Sequence, residues 1–255
     1  MKKKPVSQKR NVQYDKSLLT HIDILGFRGL IEEKTANEIS RTIRVVREAV
    51  EPDRFKSTFS ELSDDNYVNF SDLSIIRTPL CRNGAFLQKG SVYAHILRLI
   101  HTQSILLFDH GVLIRGGMTV GNATMSYRQL FGPAVVRAYD LESTVARFPR
   151  IVVDERVLEE VNDNPELWVH DRETEIRGVR SLLRRDFDGE LFVDYLSVIR
   201  EELDDPSMFP SYLKRHQHFI EKGLTKYRGN PSVLSKFKWL KEYHSRIVRR
   251  IKKNG

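Results

Sequence analysis

Two carboxylates stand alone inside apolar segments of the chain, and these are the residues best placed to do chemistry. Asp23 interrupts the apolar run at 18–27, and Asp72 interrupts a second one at 67–76. Burying a carboxylate in an apolar strand costs several kcal/mol unless a cation or hydrogen-bond donors compensate it. A metal ion is the usual solution. Two such acids would suit two divalent ions that face a triphosphate.

A third informative segment lies at 112–121, where apolar residues surround Gly116, Gly117 and Gly121. The pattern predicts a strand whose missing side chains allow another group to approach closely. The sequence leaves open what approaches, because a packed helix and a bound nucleotide both fit.

Strands alternate with helices in the part of the chain that carries these segments. The apolar run around Asp23 predicts a first strand at about 17–25 that is covered on both faces. Residues 67–76 predict a hairpin with Ser71 and Asp72 near its bend. The other predicted elements are strands at 55–59 and 149–154, a turn at 63–66, a loop at 79–90, and helices from Gly26 to about 50, at 92–108 and at 133–148. This order indicates an α/β or α+β sandwich, with helices packed on a sheet.

From about residue 155 the pattern becomes mostly helical. A strand is predicted at 189–196, and two helices are predicted at about 211–223 and 231–252. The last helix should pack on the sheet domain or on a second subunit. We expect three regions: a flexible N-terminus at 1–14, one domain at 15–154, and a mostly helical extension at 155–255.

The composition excludes several classes of protein. No apolar run reaches the roughly 18 residues that a membrane span needs, and no apolar stretch follows the N-terminal lysines as it would in a signal peptide. Cys81 is the single cysteine, which excludes an internal disulfide and favours a reducing cytoplasm. The net charge of +8 suits a solvated basic surface or an anionic nucleotide substrate. No motif supports DNA or RNA binding.

Three stretches in this order resemble the class III nucleotidyl cyclase superfamily, which contains adenylate and guanylate cyclases. They are Asp23-Ile24-Leu25-Gly26-Phe27, Ser71-Asp72 and Gly117-Met118-Thr119-Val120-Gly121. Residues 114–121, 131–142 and 149–151 resemble the bacterial Pycsar pyrimidine cyclases more closely. The resemblance covers 17–154 well and 188–196 more weakly. It implies an α+β cyclase fold with a central, mostly antiparallel sheet, flanking helices and a helical C-terminal extension.

The resemblance also implies an activity, the conversion of UTP or CTP to the 3′,5′-cyclic monophosphate and pyrophosphate. Asp23 and Asp72, with the backbone of Ile24, would hold two Mn²⁺ or Mg²⁺ ions. The backbone of Ile24, Leu25, Gly26 and Phe27 would bind the β- and γ-phosphates at the start of a helix.

The chain departs from the purine cyclases at the groups that stabilise the transition state. Where those enzymes carry an asparagine and an arginine on a helix, this chain has Val136 and Asp140. We expect a nearby cation, Arg115 or Arg137, to meet the phosphates or the base. A plain surface charge is the other interpretation of Arg137.

The chain departs from the purine cyclases at the base as well. Their base-binding lysine corresponds to Val68, which favours a smaller pocket for a pyrimidine. Tyr67 and Asn69 would border that pocket, although Tyr67 also fits a half-buried strand tyrosine. His21 fits a packed strand residue better than a ligand.

The family further implies a head-to-tail homodimer with composite sites. Its product would be sensed by a separate cyclic-nucleotide effector in antiphage defence. Two alternatives stay open: an adenylate cyclase with an altered base pocket, and a catalytically dead cyclase-fold regulator that binds nucleotide.

Overall fold

The computed structural model describes residues 12–51, 66–82, 85–126 and 129–254. The strand expected at 55–59 lies outside the described residues, as do most of the turn at 63–66 and most of the N-terminus at 1–14. Within the described ranges, no helix combines the length and the apolar character needed to cross a membrane.

The core of the protein is a mixed β-sheet. The described strands are β1 (Asp15–Ile24), β2 (Asn66–Phe70), β3 (Leu73–Pro79), β4 (Cys81–Arg82), β5 (Ala85–Phe86), β6 (Ile114–Ser126), β7 (Gln129–Phe131), β8 (Ile151–Val153), β9 (Leu183–Arg185) and β10 (Leu191–Val193). The main sheet has the order β2-β3-β1-β6-β8-β10-β9, with β7 paired to β6, and β4–β5 form a separate ribbon. Only β6 and β8 pair in parallel among these strands. The predicted α+β class with a mostly antiparallel sheet is therefore confirmed.

Helices cover both faces of this sheet. The described helices are α1 (Phe27–Glu33), α2 (Ala36–Val50), α3 (Ser91–His110), α4 (Pro133–Asp140), α5 (Glu155–Asp163), α6 (Arg172–Ser181), α7 (Tyr195–Glu202), α8 (Phe209–Lys226) and α9 (Pro231–Asn254). A π-helical segment, Leu141–Val145, continues α4. The large apolar core lies on the face covered by α2 and α3, and α4 covers a smaller core on the other face.

β1 is central because both of its faces are buried. Leu18 and Ile22 point into the large core, whereas Leu19 points into the smaller core under α4. A strand covered on both faces must be apolar at nearly every position, which explains the continuous run that predicted it. Asp23 lies at the end of this strand, on the same face as Leu19.

The glycine segment of β6 makes room for a helix. A Cβ on Gly117 would lie 2.5 Å from the Ala138 carbonyl oxygen and 2.5 Å from Leu141 Cβ. A Cβ on Gly116 would lie 2.6 Å from the His21 carbonyl oxygen of the neighbouring strand. The sequence left open whether a packed helix or a bound nucleotide approaches these glycines. At Gly117 it is the close packing of α4 and the π segment. This packing brings residue 142 over the start of β6.

Three sequence-based predictions need correction. The single helix predicted from Gly26 to about 50 is two helices, because Thr35 caps α2 in a reciprocal pair of hydrogen bonds with Glu38. The loop at 79–90 contains the short β4–β5 ribbon. The helix at 133–148 ends as a π turn, in which the Ala146 N–H donates to the Leu141 carbonyl.

The C-terminal part continues the same sheet. β10 pairs with β8 and β9, so the strands extend past residue 154. The helix predicted at 211–223 corresponds to α8, and the one predicted at 231–252 corresponds to α9. Side chains of α7, α8 and α9 join the large core. The division of the chain at residue 154 stays a prediction.

Candidate functional site

Asp23 and Asp72 meet at one end of β1. The β2–β3 hairpin turns at Ser71 and Asp72, as predicted, with Ser71 at φ 54°. Leu73 pairs with Asp23, which brings Asp72 beside the end of β1. The two carboxyls are close enough to share a hydrogen bond. Burial, followed by this bond, raises the pKa of Asp23 to about 7, and Arg115 opposes the shift.

Arg115 pairs with Asp23 across the β1–β6 ladder. Its Nε donates to Asp23 Oδ2 at 3.1 Å, and the two residues are register partners. Its Nη2 lies 2.8 Å from Glu142 Oε1. Arg115 therefore bridges two carboxylates from different elements, one on β1 and one on the π segment.

Glu142 is the site residue that the sequence analysis missed. It is 3% exposed, and burial raises its pKa, with Asp72 adding to the shift and Arg115 opposing it. We call Asp23, Asp72, Glu142 and Arg115 the acidic cluster. The available signal was an acid next to the apolar Leu141 near the end of a predicted amphipathic helix. Helical spacing does not show which strand such a residue packs against, so it could not place Glu142 beside Arg115.

His21 lies under Glu142 as a neutral side chain. Its Nδ1 is 3.6 Å from Glu142 Oε2, and its ring packs edge-on against Tyr139. Burial, followed by the charge of Arg115, lowers the pKa of His21 to about 4. The contact with Glu142 is therefore no ion pair at neutral pH, and the prediction of a packed strand residue agrees with this placement.

The charges of the acidic cluster influence the pKa of a lysine on the C-terminal helix. Lys236 of α9 is half-buried. Burial lowers its pKa, the charge of Arg115 lowers it further, and the charge of Asp23 raises it. Its ammonium group is therefore close enough to sense both charges. The sequence analysis placed no C-terminal residue at the site.

The turn between β1 and α1 lies next to Asp23. Leu25 N–H donates to the Leu113 carbonyl at 2.9 Å, and Gly26 adopts φ 83° at the start of α1. No side chain caps α1, so the N–H groups of its first turn have no partner within the helix. The predicted contacts of Ile24, Leu25, Gly26 and Phe27 with phosphate stay predictions.

Arg137 lies outside the acidic cluster. Its Nε donates to Asp154 Oδ2 at 2.8 Å, and Thr119 donates to the same oxygen at 3.0 Å. Asp154 also caps α5. Of the two predicted cations, the structure brings only Arg115 to the two aspartates. Arg137 instead links α4 to the start of α5.

Tyr67 and Asn69 point to the opposite face of the sheet. The Tyr67 hydroxyl accepts from Arg98 of α3 at 2.7 Å, and Asn69 donates to Glu51 at 3.0 Å. Val68 points to the same face as Asp23, because it packs in the smaller core with Leu19. The structure therefore does not bring Tyr67 or Asn69 to the acidic cluster.

The two aspartates have the chemistry of a hard-cation site. Their carboxyls supply the oxygen ligands that Mg²⁺ and Mn²⁺ prefer, and burial, with Asp72 beside it, raises the pKa of Asp23, so a bound cation would favour its charged form. In the described part of the chain, no group of three or more His, Cys, Asp or Glu side chains is arranged to hold a metal. The Ile24 carbonyl, substrate phosphates or water would have to complete the coordination.

Comparisons with known proteins find similarity at the level of structure only. No family model and no curated protein matches the chain. Among solved structures, it resembles a bacterial light-regulated adenylyl cyclase, with 16% identity over 66% of this chain and 98% of that one and a TM-score of 0.44. An adenylate/guanylate cyclase/hydrolase from Silicibacter pomeroyi gives 16% identity over 71% and 95%, with a TM-score of 0.40. A class III adenylyl cyclase-like ATP-binding protein from Pseudomonas aeruginosa gives 14% over 69% and 43%, with 0.41. Similarity this low defines no activity for the chain, which must be inferred from the site itself.

Proposed function

We propose that this protein is a metal-dependent nucleotidyl cyclase that converts UTP, or CTP, to the 3′,5′-cyclic monophosphate and pyrophosphate. The observation that carries the proposal is the meeting of Asp23 and Asp72. Two separate apolar segments bring their carboxyls to one end of β1, where Asp23 pairs in register with Leu73, the residue after Asp72, and Asp72 contributes to the raised pKa of Asp23. Such a pair destabilises the fold unless it binds a cation.

Each residue of the acidic cluster has a role in this reaction. Asp23 and Asp72 would hold Mn²⁺ or Mg²⁺, which when bound supply positive charge beside the triphosphate. The ribose 3′-hydroxyl would release its proton to water as its oxygen attacks the α-phosphorus in line, the bond between the α-phosphorus and the bridging α–β oxygen would break, and pyrophosphate would leave. Arg115 holds Asp23 in place through Nε and would present its remaining N–H groups to the α-phosphate. Glu142 keeps the Arg115 guanidinium oriented.

A pyrimidine is the favoured base because of what faces the site. Val68, on the same face as Asp23, has no group that could donate to a purine base. Tyr67, which was expected to border a small pocket, lies on the other face and contributes nothing to this preference. A small apolar wall suits the smaller ring. The choice of UTP over CTP follows only from the family resemblance.

A homodimer would complete the site. Three large apolar side chains are exposed: Phe70 beside the Ser71–Asp72 turn by 75%, Val136 on α4 by 61%, and Tyr139, which packs on His21, by 54%. Exposed apolar groups grouped around a site are typical of an interface. Val136 and Asp140 both lie on the outer side of α4, so a partner could supply what these positions lack.

The direct test is to incubate the purified protein with each of the four NTPs and Mn²⁺ and to identify any cyclic product by mass spectrometry. We expect product from UTP or CTP, and loss of about 1,000-fold or more in Asp23→Asn and Asp72→Asn. Asp204→Asn, an exposed carboxyl far along the chain, serves as the matched control and should retain activity. Both site variants should remain folded by circular dichroism.

The other outcomes separate the alternatives. Product from ATP alone would identify an adenylate cyclase with an altered base pocket. Nucleotide binding without any product would identify a catalytically dead regulator. The role in antiphage signalling, through a separate cyclic-nucleotide effector in the cytoplasm, predicts higher cyclic nucleotide levels in infected cells than in uninfected ones. Equal levels would contradict that role.

A further inference from the structure

The net positive charge of the chain is concentrated in its last two helices. Residues 209–254, which hold α8, α9 and the turn between them, contain 13 Lys and Arg residues and only two acids, Glu221 and Glu242. The rest of the chain has 29 Lys and Arg residues against 32 Asp and Glu residues, a net charge of −3. A basic surface spread evenly over the protein would not show this asymmetry, which is typical of a chain with an anionic partner at one end.

α9 arranges part of this charge in a line. One side of the helix packs on the core through apolar residues that include Phe237, Leu240 and Ile247. Four exposed cations lie on the opposite side, because their spacings of 3, 8 and 3 residues return to nearly the same direction in an α-helix. We call them the basic stripe: Lys238, Lys241, Arg249 and Lys252. The stripe is about 21 Å long at the 1.5 Å rise of each helical residue.

Most of the exposed cations in these two helices have no carboxylate partner. Glu242 pairs with Arg249 at 3.0 Å, and Glu221 accepts a hydrogen bond from Gln217 at 2.9 Å. Two further cations pair with acids of other helices, Arg215 with Asp109 and Lys226 with Glu33. In the described part of the chain, the exposed cations of 209–254 that form no ion pair are Lys214, Lys222, Arg228, Lys238, Lys241, Arg250, Lys252 and Lys253. Like charges at this density repel one another, and an anionic surface would compensate them.

The kind of anionic surface follows from what accompanies the charge. A helix that binds a membrane surface exposes large apolar side chains beside its cations, but within the described residues α8 and α9 expose none. Proteins that read single-stranded nucleic acid expose aromatic side chains for base stacking, whereas Trp239 and Tyr243 are buried in the core. What remains is a straight row of cations, which suits the regular phosphates of a duplex.

We propose that the basic stripe binds the phosphate backbone of duplex DNA without reading its sequence. B-DNA carries one negative charge per roughly 1.7 Å of its axis, so a stripe of about 21 Å meets several phosphates. Duplex RNA is recognised in large part through its 2′-hydroxyl groups, and a row of cations alone has no need of them. The proposal differs from the sequence-based expectation of no DNA or RNA partner, which rested on the absence of a motif. It is independent of the proposed cyclase activity, because the stripe lies on the solvent side of α9.

The experiment removes three charges from the stripe and, in a matched control, three charges from exposed cations elsewhere. The stripe variant combines Lys238→Gln, Lys241→Gln and Lys252→Gln. The control variant combines Lys89→Gln, Arg147→Gln and Arg156→Gln, all at exposed positions outside the C-terminal helices. The two variants have the same net charge, so a difference between them reports the position of the charge. Thermal melting of both variants checks that folded proteins are compared.

Binding of the full-length protein to a labelled DNA duplex of about 20 base pairs is followed by fluorescence anisotropy, with salt varied from about 50 to 200 mM. We expect the stripe variant to bind about 10-fold or more weakly at the lowest salt and its slope of log K against log salt to fall by about 2–3. The control variant should stay within about 3-fold of the wild type with an unchanged slope. A second duplex of unrelated sequence should bind equally well.

The other outcomes overturn the proposal. A wild type that binds no duplex at the lowest salt shows that the stripe is a solvated surface. Equal losses in the two triple variants show that net charge alone drives the binding. Tighter binding to duplex RNA, or to vesicles that contain phosphatidylserine, identifies a different partner for the stripe. None of these results depends on whether the protein makes a cyclic nucleotide, so failure of this proposal and failure of the proposed function are distinguishable.

Discussion

Among the described residues, the Arg150 cluster and the acidic cluster both contain buried charged groups, and they differ in how their charges are balanced. In the Arg150 cluster, the fully buried Arg150 contacts Asp186 and Asp188, and Arg246 and Trp239 complete the partners of Asp186. Two guanidinium groups thus face two carboxylates. In the acidic cluster, the guanidinium of Arg115 pairs with two carboxyls, those of Asp23 and Glu142, and the carboxyl of Asp72 adds a third acid beside Asp23.

The pKa values follow this difference. Burial works to raise the pKa of Asp188, but the hydrogen bond and charge of Arg150 outweigh it and leave the pKa lowered. In the acidic cluster, burial and the neighbouring carboxyls prevail over Arg115, and the pKa values of Asp23 and Glu142 are raised. In the Arg150 cluster the cationic and anionic side chains are equal in number, which is typical of a structural cluster. In the acidic cluster the carboxyls outnumber the cations, which is typical of a functional site that binds a cation.

The largest expected effect comes from breaking the balanced cluster. Arg150→Met leaves the buried Asp186 without its main partner and removes the partner of the exposed Asp188, and we expect it to lower the free energy of unfolding by about 3–5 kcal/mol. Urea unfolding followed by circular dichroism measures this. Arg185→Met, at an exposed ion pair with Glu155, should change it by less than about 1 kcal/mol. Similar losses in the two variants would show that the Arg150 cluster is not structural.

An intermediate loss of stability is expected from a substitution at Gly117, where α4 and the π segment pack on the sheet and position Glu142. Gly117→Ala places a Cβ within 2.5 Å of α4 backbone and side-chain atoms, so the helix must shift. We expect a loss of about 1–3 kcal/mol in the free energy of unfolding. Gly178→Ala is the control, because its Cβ meets only Tyr93 at 3.7 Å and alanine favours a helix. A fully stable Gly117→Ala protein would contradict the packing described for α4.

The smallest expected effect is a gain, rather than a loss, in the free energy of unfolding. Asp72→Asn removes a like charge next to Asp23, and in metal-free buffer it should raise the free energy of unfolding by about 1 kcal/mol. A carboxyl whose pKa is raised in the folded state holds its proton more tightly there, so the wild type loses stability as the pH rises from about 4 through 7. The gain should therefore be full above pH 7 and absent below about pH 4. A gain that is independent of pH would contradict the raised pKa of Asp23.

Much of the architecture could be predicted because its signals are local. The apolar run of β1, the hairpin that turns at Ser71 and Asp72, and the helices α3, α8 and α9 each carry their pattern in adjacent residues. The two aspartates were visible for the same reason, since a single carboxylate in an apolar strand stands out against its neighbours. Where the pattern was interrupted by a cap, as at Thr35, the prediction joined two helices into one.

The amino-acid sequence by itself determined most of the strands and helices, and it showed that Asp23 and Asp72 lie alone in apolar segments. Only the tertiary structure decided what surrounds them. Glu142 reaches Arg115 because Gly117 allows α4 and the π segment to pack closely on the sheet, and Trp239 reaches Asp186 because α9 packs on the core of the sheet domain. These contacts join residues far apart in the chain, so their geometry depends on packing between elements and leaves no periodic signal in either segment.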